Sequence, residues 1–248
     1  MNLRKPDRIG TVTESGFCPG CGHGIVCRLI AEVAEELKID EKLIMVHDVA
    51  CGSIATMNSR FDSIVAAHGR PVPVASGYQK VRPDNVVCAY LGDGSAYSIG
   101  TAELVHAALR NDNITAVVVN NTVYGMTGGQ MAPTTLPGEK TMSSVYGKDP
   151  EHYGTLNVMD LLEKQKIAYL ARGEIYDVAS IAKSKKMIKK AFENQISKKG
   201  FSLVEILSPC PTNLHMTPLK ARAYMHEEAI KYFPLGEFID VAKEGSRA

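Results

Sequence analysis

Short, almost uninterrupted apolar runs alternate with longer amphipathic stretches, and this alternation most constrains the fold. The runs are KLIMVHDVA (42–50), VVCAYL (86–91), ITAVVV (114–119), IAYLAR (167–172) and LVEIL (203–207). Apolar side chains at nearly every position are typical of parallel strands that are covered on both faces. Helical spacing lies between them, over residues 24–37, 100–110 and 175–197. This order predicts an α/β fold built on a doubly wound, mostly parallel sheet.

Composition excludes several classes of protein. The 248 residues are 45% hydrophobic and 22% charged, and their net charge of +1 argues against nucleic-acid binding. No apolar run approaches the roughly 18 residues of a membrane span, and the basic N-terminus lacks the apolar core of a signal peptide. We therefore expect one domain over residues 1–248 in the cytoplasm, with no nucleic-acid or membrane partner. In that compartment the six cysteines are ligands, catalytic groups or core residues rather than disulfides.

Polar residues follow two of the predicted strands where each strand ends. Asp93, between Gly92 and Gly94, follows the second run, and Asn121 follows the third. Ligands of open α/β sheets bind outside the carboxyl ends of the strands. A carboxylate and an amide oxygen, completed by phosphate oxygens, suit Mg²⁺. The glycines allow a tight turn against a diphosphate, and a helix start near residues 98–100 would direct N–H groups at it. Gly-Asp-Gly alone also occurs in plain turns.

Four cysteines are placed to form a second site. Cys18 and Cys21 form a CxxC pair, while Cys51 and Cys210 each follow a predicted strand. If the parallel sheet forms as predicted, the four thiols gather at one edge of it. A four-cysteine site suits either Zn²⁺ or a [4Fe–4S] cluster. Spacing does not separate these two. Cys27 on a helix and Cys88 inside a strand are predicted to be buried free thiols.

Four other features allow a functional and a plain interpretation. Residues 122–155 have no clear period, and a connection of this length is either a functional, ligand-holding loop or a mobile surface loop. Gly69 and Pro71 predict a helix end after His68. Arg70 is a phosphate contact or a surface charge, and His23 is a partner of a cluster sulfur or a helix cap. The basic stretch 183–200 is a solvated helix face or, less simply, a docking face for an acidic ferredoxin.

The combination of motifs resembles a known family. CPGCGH, CGS, GDG with the following NN, YGMTGGQ and PCPTN occur in this order, and the match covers about residues 16–218. Together they resemble the β subunit of the 2-oxoacid:ferredoxin oxidoreductases, whose fold is that of a thiamine-diphosphate-binding (pyrophosphate-type) domain. This resemblance implies Mg²⁺ held by Asp93, Asn121 and the backbone oxygen of Val123. It also implies a [4Fe–4S] cluster held by Cys18, Cys21, Cys51 and Cys210.

The resemblance extends to the other contacts of the cofactor, with His68 near its phosphates. The cofactor-binding residues expected on this basis are Ala50, Cys51, Gly52, Ser53, His68, Gly92, Gly94, Ser95, Gly125 and Met126. The implied reaction is the coenzyme A-dependent oxidative decarboxylation of a 2-oxoacid to acyl-CoA, CO₂ and reduced ferredoxin. No catalytic residue is expected from this chain. The activating glutamate comes from an α subunit that carries the pyrimidine domain, and γ and ferredoxin-like δ subunits are further expected partners.

The substrate is the least determined part of the resemblance. Some family members that act on pyruvate or 2-oxoglutarate have a lysine where this chain has Gly128, and a cation there could pair with a distal carboxylate. Its absence favours a branched-chain substrate such as 2-oxoisovalerate, with 2-oxoglutarate as the alternative. Two other classes remain open. One is a non-oxidative thiamine enzyme with a four-cysteine zinc site, and the other is a zinc module without catalytic activity.

Overall fold

A seven-stranded sheet forms the centre of the computed structural model, which describes residues 4–10 and 16–244. The strands are β1 (Leu43–His47), β2 (Asp62–Val65), β3 (Val86–Gly92), β4 (Thr115–Asn120), β5 (Val123–Tyr124), β6 (Gln130–Met131), β7 (Tyr169–Glu174), β8 (Ser202–Leu207) and β9 (Gly236–Asp240). The helices are α1 (His23–Glu36), α2 (Pro71–Val81), α3 (Thr101–Leu109), α4 (Val158–Leu162), α5 (Val178–Ile196), α6 (Pro218–Tyr224), α7 (Ile230–Tyr232) and α8 (Val241–Glu244). Within the described residues, no helix combines the length and apolar character that crossing a bilayer requires.

The strand order places a ligand site before any side chain is considered. The order is β2-β1-β3-β4-β8-β7-β9, and every neighbouring pair is parallel except β7 and β9. From β1 the chain moves outward to β2 and then returns to the other side of β1 as β3. The winding direction therefore reverses between β1 and β3, and in doubly wound sheets this switch point is where ligands bind. The short strands β5 and β6 form a separate antiparallel pair.

Two helical layers cover the sheet, as the uninterrupted apolar runs predicted. On β3, Cys88 and Tyr90 pack with α1 and α5, whereas Val87 and Ala89 pack with α2 and α3 on the opposite face. Successive strand residues point to opposite faces, so a strand between two layers is apolar at every position. Each fully buried valine or leucine contributes about 1.5–3 kcal/mol relative to exposure. The doubly wound, mostly parallel α/β fold is confirmed.

The predicted strands and helices are present with small shifts at their ends. All the apolar runs named above contain strands, and the helical stretches correspond to α1, α3 and α5. The start of α5 has a clear local cause. The Asp177 carboxylate accepts the backbone N–H of Ser180 at 2.7 Å, and the Ser180 hydroxyl accepts the N–H of Asp177 at 2.7 Å. This reciprocal capping satisfies amides that the first turn leaves unpaired.

Two local predictions are wrong. Residues 69–71 begin a helix rather than end one, because Pro71 is the first residue of α2, where its missing N–H is not needed. The helix after Gly-Asp-Gly begins before residues 98–100. Helical turns begin at Asp93, directly after β3, and continue through a π-helical turn (Ser95–Ile99) into α3. The Gly-Asp-Gly turn and the helix start are therefore one feature.

The edge strands were not predicted, since they lack the apolar signal of the central strands. β2 leaves most of its side chains exposed, so its sequence reads as a polar connection. β9 pairs antiparallel with β7 and follows the buried side chain of Phe233. Both strands have a neighbour on one side only, and this partial burial weakens the hydrophobic pattern from which a strand is predicted.

Candidate functional site

A cleft of about 230 Å³ opens at the β1/β3 switch point. It is bounded by the segments that follow β1, β3 and β4 and by the start of the 122–155 loop. Its lining residues are His23, Val49, Ala50, Cys51, Gly52, His68, Gly92, Asp93, Gly94, Ser95, Asn121, Val123, Tyr124, Gly125, Met126 and Thr127. Of the expected cofactor and magnesium contacts, Ser53 alone is missing from this lining, and its hydroxyl donates to the Ala50 carbonyl at 2.8 Å. The structure therefore brings these residues together, while their roles stay predictions.

The Gly-Asp-Gly turn fits closely under the loop that follows β4. A side chain at Gly94 would collide with the ring of Tyr124, so only glycine permits this packing. At Gly92, by contrast, an added Cβ would meet no atom within 4 Å. The two glycines thus serve different purposes. Gly94 lets the loop approach the turn, and Gly92 leaves open space on the cleft side, where a diphosphate can come close to the backbone.

Asp93 is a buried carboxylate that the fold holds in one orientation. Its side chain is 1% exposed, Oδ2 accepts the hydroxyl of Thr134, and the backbone amides of Gly94 and Asn121 also bond to the carboxylate. Burial raises the pKa of Asp93 to about 7. A cation beside it would favour the charged form. The residue is therefore suited to bind a metal ion that supplies the missing positive charge.

The paired asparagines have different environments. Asn120 is fully buried, where its amide donates to Glu205 at 3.2 Å and its carbonyl oxygen accepts the N–H of Thr122 at 3.2 Å. Asn121 lines the cleft, and its Oδ1 accepts the N–H of Val123 at 3.3 Å. Between them and β5, Thr122 adopts a φ of 66°, in the left-handed region that β-branched residues rarely occupy. We call Asp93, Asn121 and Val123 the oxygen side of the cleft.

Asp48 is a site residue that the sequence analysis missed. It follows β1, is fully buried, and accepts the N–H of Gly92 on Oδ2 at 3.2 Å, while Oδ1 has no hydrogen-bond partner. Burial raises the pKa of its carboxyl. Its position was a usable signal, because it ends β1 as Asp93 ends β3. A side chain on Gly52 would lie 2.8 Å from the unpartnered oxygen, so glycine is needed there as well.

His68 and Arg70 separate in the structure. His68 lines the cleft, bonds through Nδ1 to the Val49 carbonyl at 3.2 Å, and lies 6.2 Å from the Tyr124 ring centre. Arg70 lies outside the lining, where it donates to the Ile99 carbonyl at 2.8 Å and pairs with Glu103 at 3.1 Å. These contacts fasten the start of α2 to the start of α3. Arg70 thus has a structural partner, whereas His68 stays a predicted cofactor contact.

The predicted cluster cysteines lie close enough to influence one another electrostatically. We call Cys18, Cys21, Cys51 and Cys210 the thiol side. Burial, with added effects of the other thiols, raises the pKa of Cys21 to about 11 and that of Cys51 to about 12. It also raises the pKa of Cys210, to which Cys18 and Asp93 contribute. Cys51 lines the cleft and Cys18 is exposed. The thiol side therefore adjoins the oxygen side and reaches the surface.

The thiol side offers four cysteine sulfurs, a donor type that suits either Zn²⁺ or an iron–sulfur cluster. Within residues 4–10 and 16–244, no three His, Cys, Asp or Glu side chains are arranged around one metal ion. Asn213 donates to the Cys210 sulfur at 3.4 Å and to the Gly125 carbonyl at 2.9 Å. Hydrogen bonds of this kind to a ligating sulfur tune a cluster.

His23 does not act as the helix cap that was one of its two expected roles. It is the first residue of α1, and no side chain caps that helix at Gly22. The Nδ1 atom of the buried imidazole bonds to the Tyr90 hydroxyl at 2.7 Å, and its ring stacks on Phe17. Burial lowers the pKa of His23 to about 4, so the ring is neutral at physiological pH. A bond to a cluster sulfur stays a prediction for the other ring nitrogen.

The two remaining cysteines have the surroundings of free thiols. Cys88 is fully buried in β3, and Cys27 on α1 donates to the Tyr90 hydroxyl at 3.6 Å. Burial raises the pKa of both, to about 12 for Cys27. A protonated thiol is a poor nucleophile and a poor metal ligand. These contacts support the interpretation of both as free thiols. Cys88 is buried as predicted, whereas Cys27 is only partly buried and packs against the edge of the core.

Three of the seven lysines in the basic stretch 183–200 form ion pairs. Lys185 contacts Glu32 at 2.7 Å and Glu36 at 2.8 Å, and Lys189 contacts Glu36 at 3.0 Å. Lys190 is paired in the same way with carboxylates of β9. These lysines bind α5 to its neighbours. The solvated helix face is therefore the better supported of the two interpretations.

Known proteins share both the sequence and the fold of this chain. Residues 49–206 match the model of the thiamine pyrophosphate enzyme, C-terminal TPP binding domain. Ketoisovalerate oxidoreductase subunit VorA of Methanothermobacter thermautotrophicus is 40% identical over 253 residues, which covers 98% of this chain and 53% of the relative. 2-Oxoglutarate synthase subunit KorB of Methanocaldococcus jannaschii is 34% identical over 247 residues, which covers 92% of this chain and 88% of the relative.

A solved structure extends the likeness to three dimensions. The 2-oxoglutarate:ferredoxin oxidoreductase of Magnetococcus marinus, with 2-oxoglutarate, coenzyme A and succinyl-CoA bound, superimposes with a TM-score of 0.77 at 25% identity. The match covers 100% of this chain and 91% of that chain. The present chain spans about half the length of the ketoisovalerate oxidoreductase relatives that it matches.

Proposed function

Because the chain belongs to the thiamine pyrophosphate enzymes through their C-terminal TPP binding domain, and among them to the 2-oxoacid:ferredoxin oxidoreductase subunits, we propose that it is the thiamine-binding β subunit of such an enzyme. The complete enzyme converts a 2-oxoacid and coenzyme A into acyl-CoA and CO₂ and passes the electrons to ferredoxin. The observation that carries this proposal is the cleft itself, where the Cys51 thiol lines the same walls as Asp93 and Asn121.

Magnesium and the diphosphate belong to the oxygen side. Asp93 and Asn121 would hold Mg²⁺ through their side chains and Val123 through its backbone oxygen, in keeping with the preference of this ion for oxygen ligands. The open space at Gly92 and the helical turn after Asp93 favour a phosphate at that end. Ser95 holds the His68 loop, because its hydroxyl accepts the Gly69 N–H at 3.0 Å. The other expected cofactor contacts surround the same cleft.

Thiamine diphosphate supplies, when bound, an electron sink for the decarboxylation. This chain's part is to bind and orient the cofactor and to exclude water from one side of it. The buried, hydrogen-bonded oxygen side does this without rearrangement, which lowers the free energy needed for binding. The glutamate that activates the cofactor comes from the α subunit with the pyrimidine domain, so we expect this chain to be inactive alone.

The thiol side is proposed to hold a [4Fe–4S] cluster through Cys18, Cys21, Cys51 and Cys210. Such a cluster accepts single electrons, which the transfer to ferredoxin requires. The electrostatic contact between Cys210 and Asp93 supports a short path from the thiamine site. The exposed position of Cys18 supports an exit of electrons at the surface. Possible γ and ferredoxin-like δ subunits complete the complex, and a cytoplasmic location stays a prediction.

For the substrate we favour a branched-chain 2-oxoacid such as 2-oxoisovalerate, with 2-oxoglutarate as the second candidate. The relatives named for ketoisovalerate are more similar in sequence than those named for 2-oxoglutarate. Gly128 lacks the cation that could pair with a distal carboxylate. The structure adds a second reason for this glycine, because its φ of 106° lies in a region that other residues rarely adopt. The glycine is therefore weaker support for the substrate than its sequence position suggests.

Anaerobic purification of the chain with its native partner subunits tests the proposal. We expect a brown complex with broad absorption near about 400 nm, as iron–sulfur clusters give. We also expect it to retain thiamine diphosphate with Mg²⁺ and to reduce a dye in the presence of coenzyme A and a 2-oxoacid. A colourless complex with one zinc ion and retained thiamine would instead support a non-oxidative thiamine enzyme. Faster dye reduction with 2-oxoglutarate than with 2-oxoisovalerate would overturn the substrate assignment.

A further inference from the structure

A buried lysine lies behind the oxygen side of the cleft. The Lys148 side chain is 2% exposed, and its ammonium donates to the Thr135 carbonyl at 2.6 Å, the Pro133 carbonyl at 3.3 Å and the Thr155 hydroxyl at 3.1 Å. Burying an ammonium is costly unless hydrogen bonds replace its water. An apolar side chain would fill the same space at lower cost. The charge is therefore expected to have a purpose beyond packing.

The carbonyls that Lys148 binds belong to the residues on either side of Thr134. The ammonium therefore holds the peptide group that precedes Thr134, through the Pro133 carbonyl, and the one that follows Thr135, through the Thr135 carbonyl. The fully buried hydroxyl of Thr134 donates to Oδ2 of Asp93. Lys148 thus determines, through a single intervening residue, where the group that orients Asp93 is placed.

The segment that Lys148 holds also contacts the backbone between Asn121 and Val123, the other two residues of the oxygen side. The Thr135 hydroxyl donates to the carbonyl of Thr122, the residue held at a φ of 66° between Asn121 and Val123. The Thr122 hydroxyl in turn donates to Glu139 at 2.7 Å. The backbone N–H of Lys148 donates to the Glu139 carbonyl at 2.9 Å. Lys148 and its neighbours therefore hold the strained residue whose two neighbours are the other proposed magnesium ligands.

We infer that Lys148 is a positioning residue for the magnesium site. It fixes residues 133–135 so that Thr134 orients Asp93 and Thr135 holds the backbone between Asn121 and Val123. The inference rests on the proposed function, because it takes these residues as magnesium ligands. It adds that the 122–155 loop acts on the metal through a buried cation that touches neither the metal nor the cofactor.

The test measures magnesium dependence rather than activity. The complex with its partner subunits is stripped of metal, and retained thiamine diphosphate is then measured over a range of Mg²⁺ concentrations. We expect Lys148→Met and Thr134→Val each to raise the Mg²⁺ concentration for half-maximal retention by about tenfold or more, as loss of groups behind a metal ligand does. Thr134→Ser keeps the hydroxyl and should stay within about twofold of the native value. Lys185→Met, at an ion pair far from the cleft, is the matched control and should also remain native-like.

The double variant Lys148→Met/Thr134→Val separates positioning from general loosening. If Lys148 acts through Thr134, the half-maximal Mg²⁺ concentration of the double variant should be hardly higher than that of the more strongly affected single variant. The reason is that the effects of residues in one network are not additive. Fully additive losses would overturn the route through Thr134. A native Mg²⁺ dependence of Lys148→Met, while Asp93→Asn loses Mg²⁺-dependent retention, would overturn the inference alone. If Asp93→Asn retained the cofactor normally, the proposed magnesium site itself would be wrong.

Should Lys148→Met fail to fold, the pair Thr134→Val and Thr134→Ser still decides. These variants leave the lysine and its carbonyl contacts in place and change only the hydroxyl at Asp93. A tenfold difference between them in half-maximal Mg²⁺, on the scale of about 10–100-fold seen for such supporting groups, supports the inference. Equal values for the two variants contradict it.

Discussion

The two sides of the cleft are built in opposite ways. On the oxygen side, Asp93, Asn121 and Val123 are all buried, and each has hydrogen-bond partners within the chain. On the thiol side, Cys18 is exposed, while Cys21, Cys51 and Cys210 are partly exposed. The proposed magnesium ligands are therefore already fixed within the chain, whereas the proposed cluster ligands come from separate segments and are at least partly exposed.

This difference has a thermodynamic meaning. A preorganised site loses little conformational freedom when it binds, so the magnesium site proposed for the oxygen side would need little rearrangement. The thiol side has to release protons before it can bind a metal, because the pKa values of Cys21 and Cys51 are raised to about 11 and about 12. Cluster assembly should therefore order this part of the molecule, while magnesium binding should not.

The largest expected effect is on the thiol side. Cys51→Ser should remove the cluster absorption and reduce dye reduction by about 100-fold or more, since the cluster loses a ligand and the electrons lose their acceptor. Thiamine and Mg²⁺ should still be retained, because the oxygen side is complete without the thiol. Absorption spectra and cofactor content of the purified complex check this.

Cys27→Ser is the matched control, since the Cys27 thiol bonds to Tyr90 and does not line the cleft, although Cys21 contributes to its raised pKa. This variant should keep the cluster and the activity. Loss of the cluster from Cys27→Ser would mean that the ligand set has been assigned wrongly. The thiol side would then have to be defined by other cysteines.

The next effect concerns the oxygen side without metal. The pKa of Asp93 is raised from 3.8 to about 7 by burial, so the folded chain holds this proton where the unfolded chain has lost it. The folded state therefore binds more protons between about pH 4 and pH 7, and its stability falls as pH rises through this window. The melting temperature of metal-free protein should drop by several degrees over this range.

Asp93→Asn should remove much of this fall, and saturating Mg²⁺ should reverse it in the native protein, because a cation favours the carboxylate. Glu139, whose pKa burial also raises to about 7, contributes in the same window. Glu139→Gln should therefore flatten the profile separately. A melting temperature that does not depend on pH between pH 4 and pH 7 would contradict the raised pKa of the buried Asp93 carboxyl.

A smaller effect is expected at Gly128, just beyond the oxygen side. Gly128→Lys should raise the preference for 2-oxoglutarate over 2-oxoisovalerate by about tenfold, equivalent to about 1.4 kcal/mol, through pairing with the distal carboxylate. Gly128→Met is the control, because it carries similar backbone strain without the charge. Ratios of kcat/KM for the two substrates check this, and an equal shift in both variants would show that strain rather than charge is responsible.

The smallest effect is expected on α5, away from both sides of the cleft. Lys185→Ala loses partly exposed ion pairs with Glu32 and Glu36, which typically stabilise by about 0–1 kcal/mol. Cluster content, magnesium dependence and electron transfer to ferredoxin should be unchanged. A clear rise in KM for ferredoxin would instead support the docking interpretation of the basic stretch. Ferredoxin would then bind on a surface near the thiol side.

The two sides also differed in how far the sequence could predict them. Asp93 and Asn121 were placed together because parallel strands end at the same edge, and that rule needs no side-chain detail. Asp48 follows the same rule but was not predicted, since the nearby Cys51 carries the motif signal of that segment. Arg70 was undecided, because only its distance from Glu103 across two helices shows where its charge is used. The 122–155 loop gave no periodic signal, so the contacts of Thr134 and Lys148 could not be foreseen.

The sequence by itself determined the doubly wound sheet and the edge of that sheet, at the carboxyl ends of the strands, where the proposed site lies. Both depend on local patterns, namely apolar runs that only a two-sided cover can bury and polar residues at strand ends. The tertiary structure alone decided which groups support them: Thr134 on Asp93, Lys148 behind Thr134, and Glu139 beneath the left-handed Thr122. These contacts join residues far apart in the chain, where burial turns single hydrogen bonds into geometric constraints that no local pattern encodes.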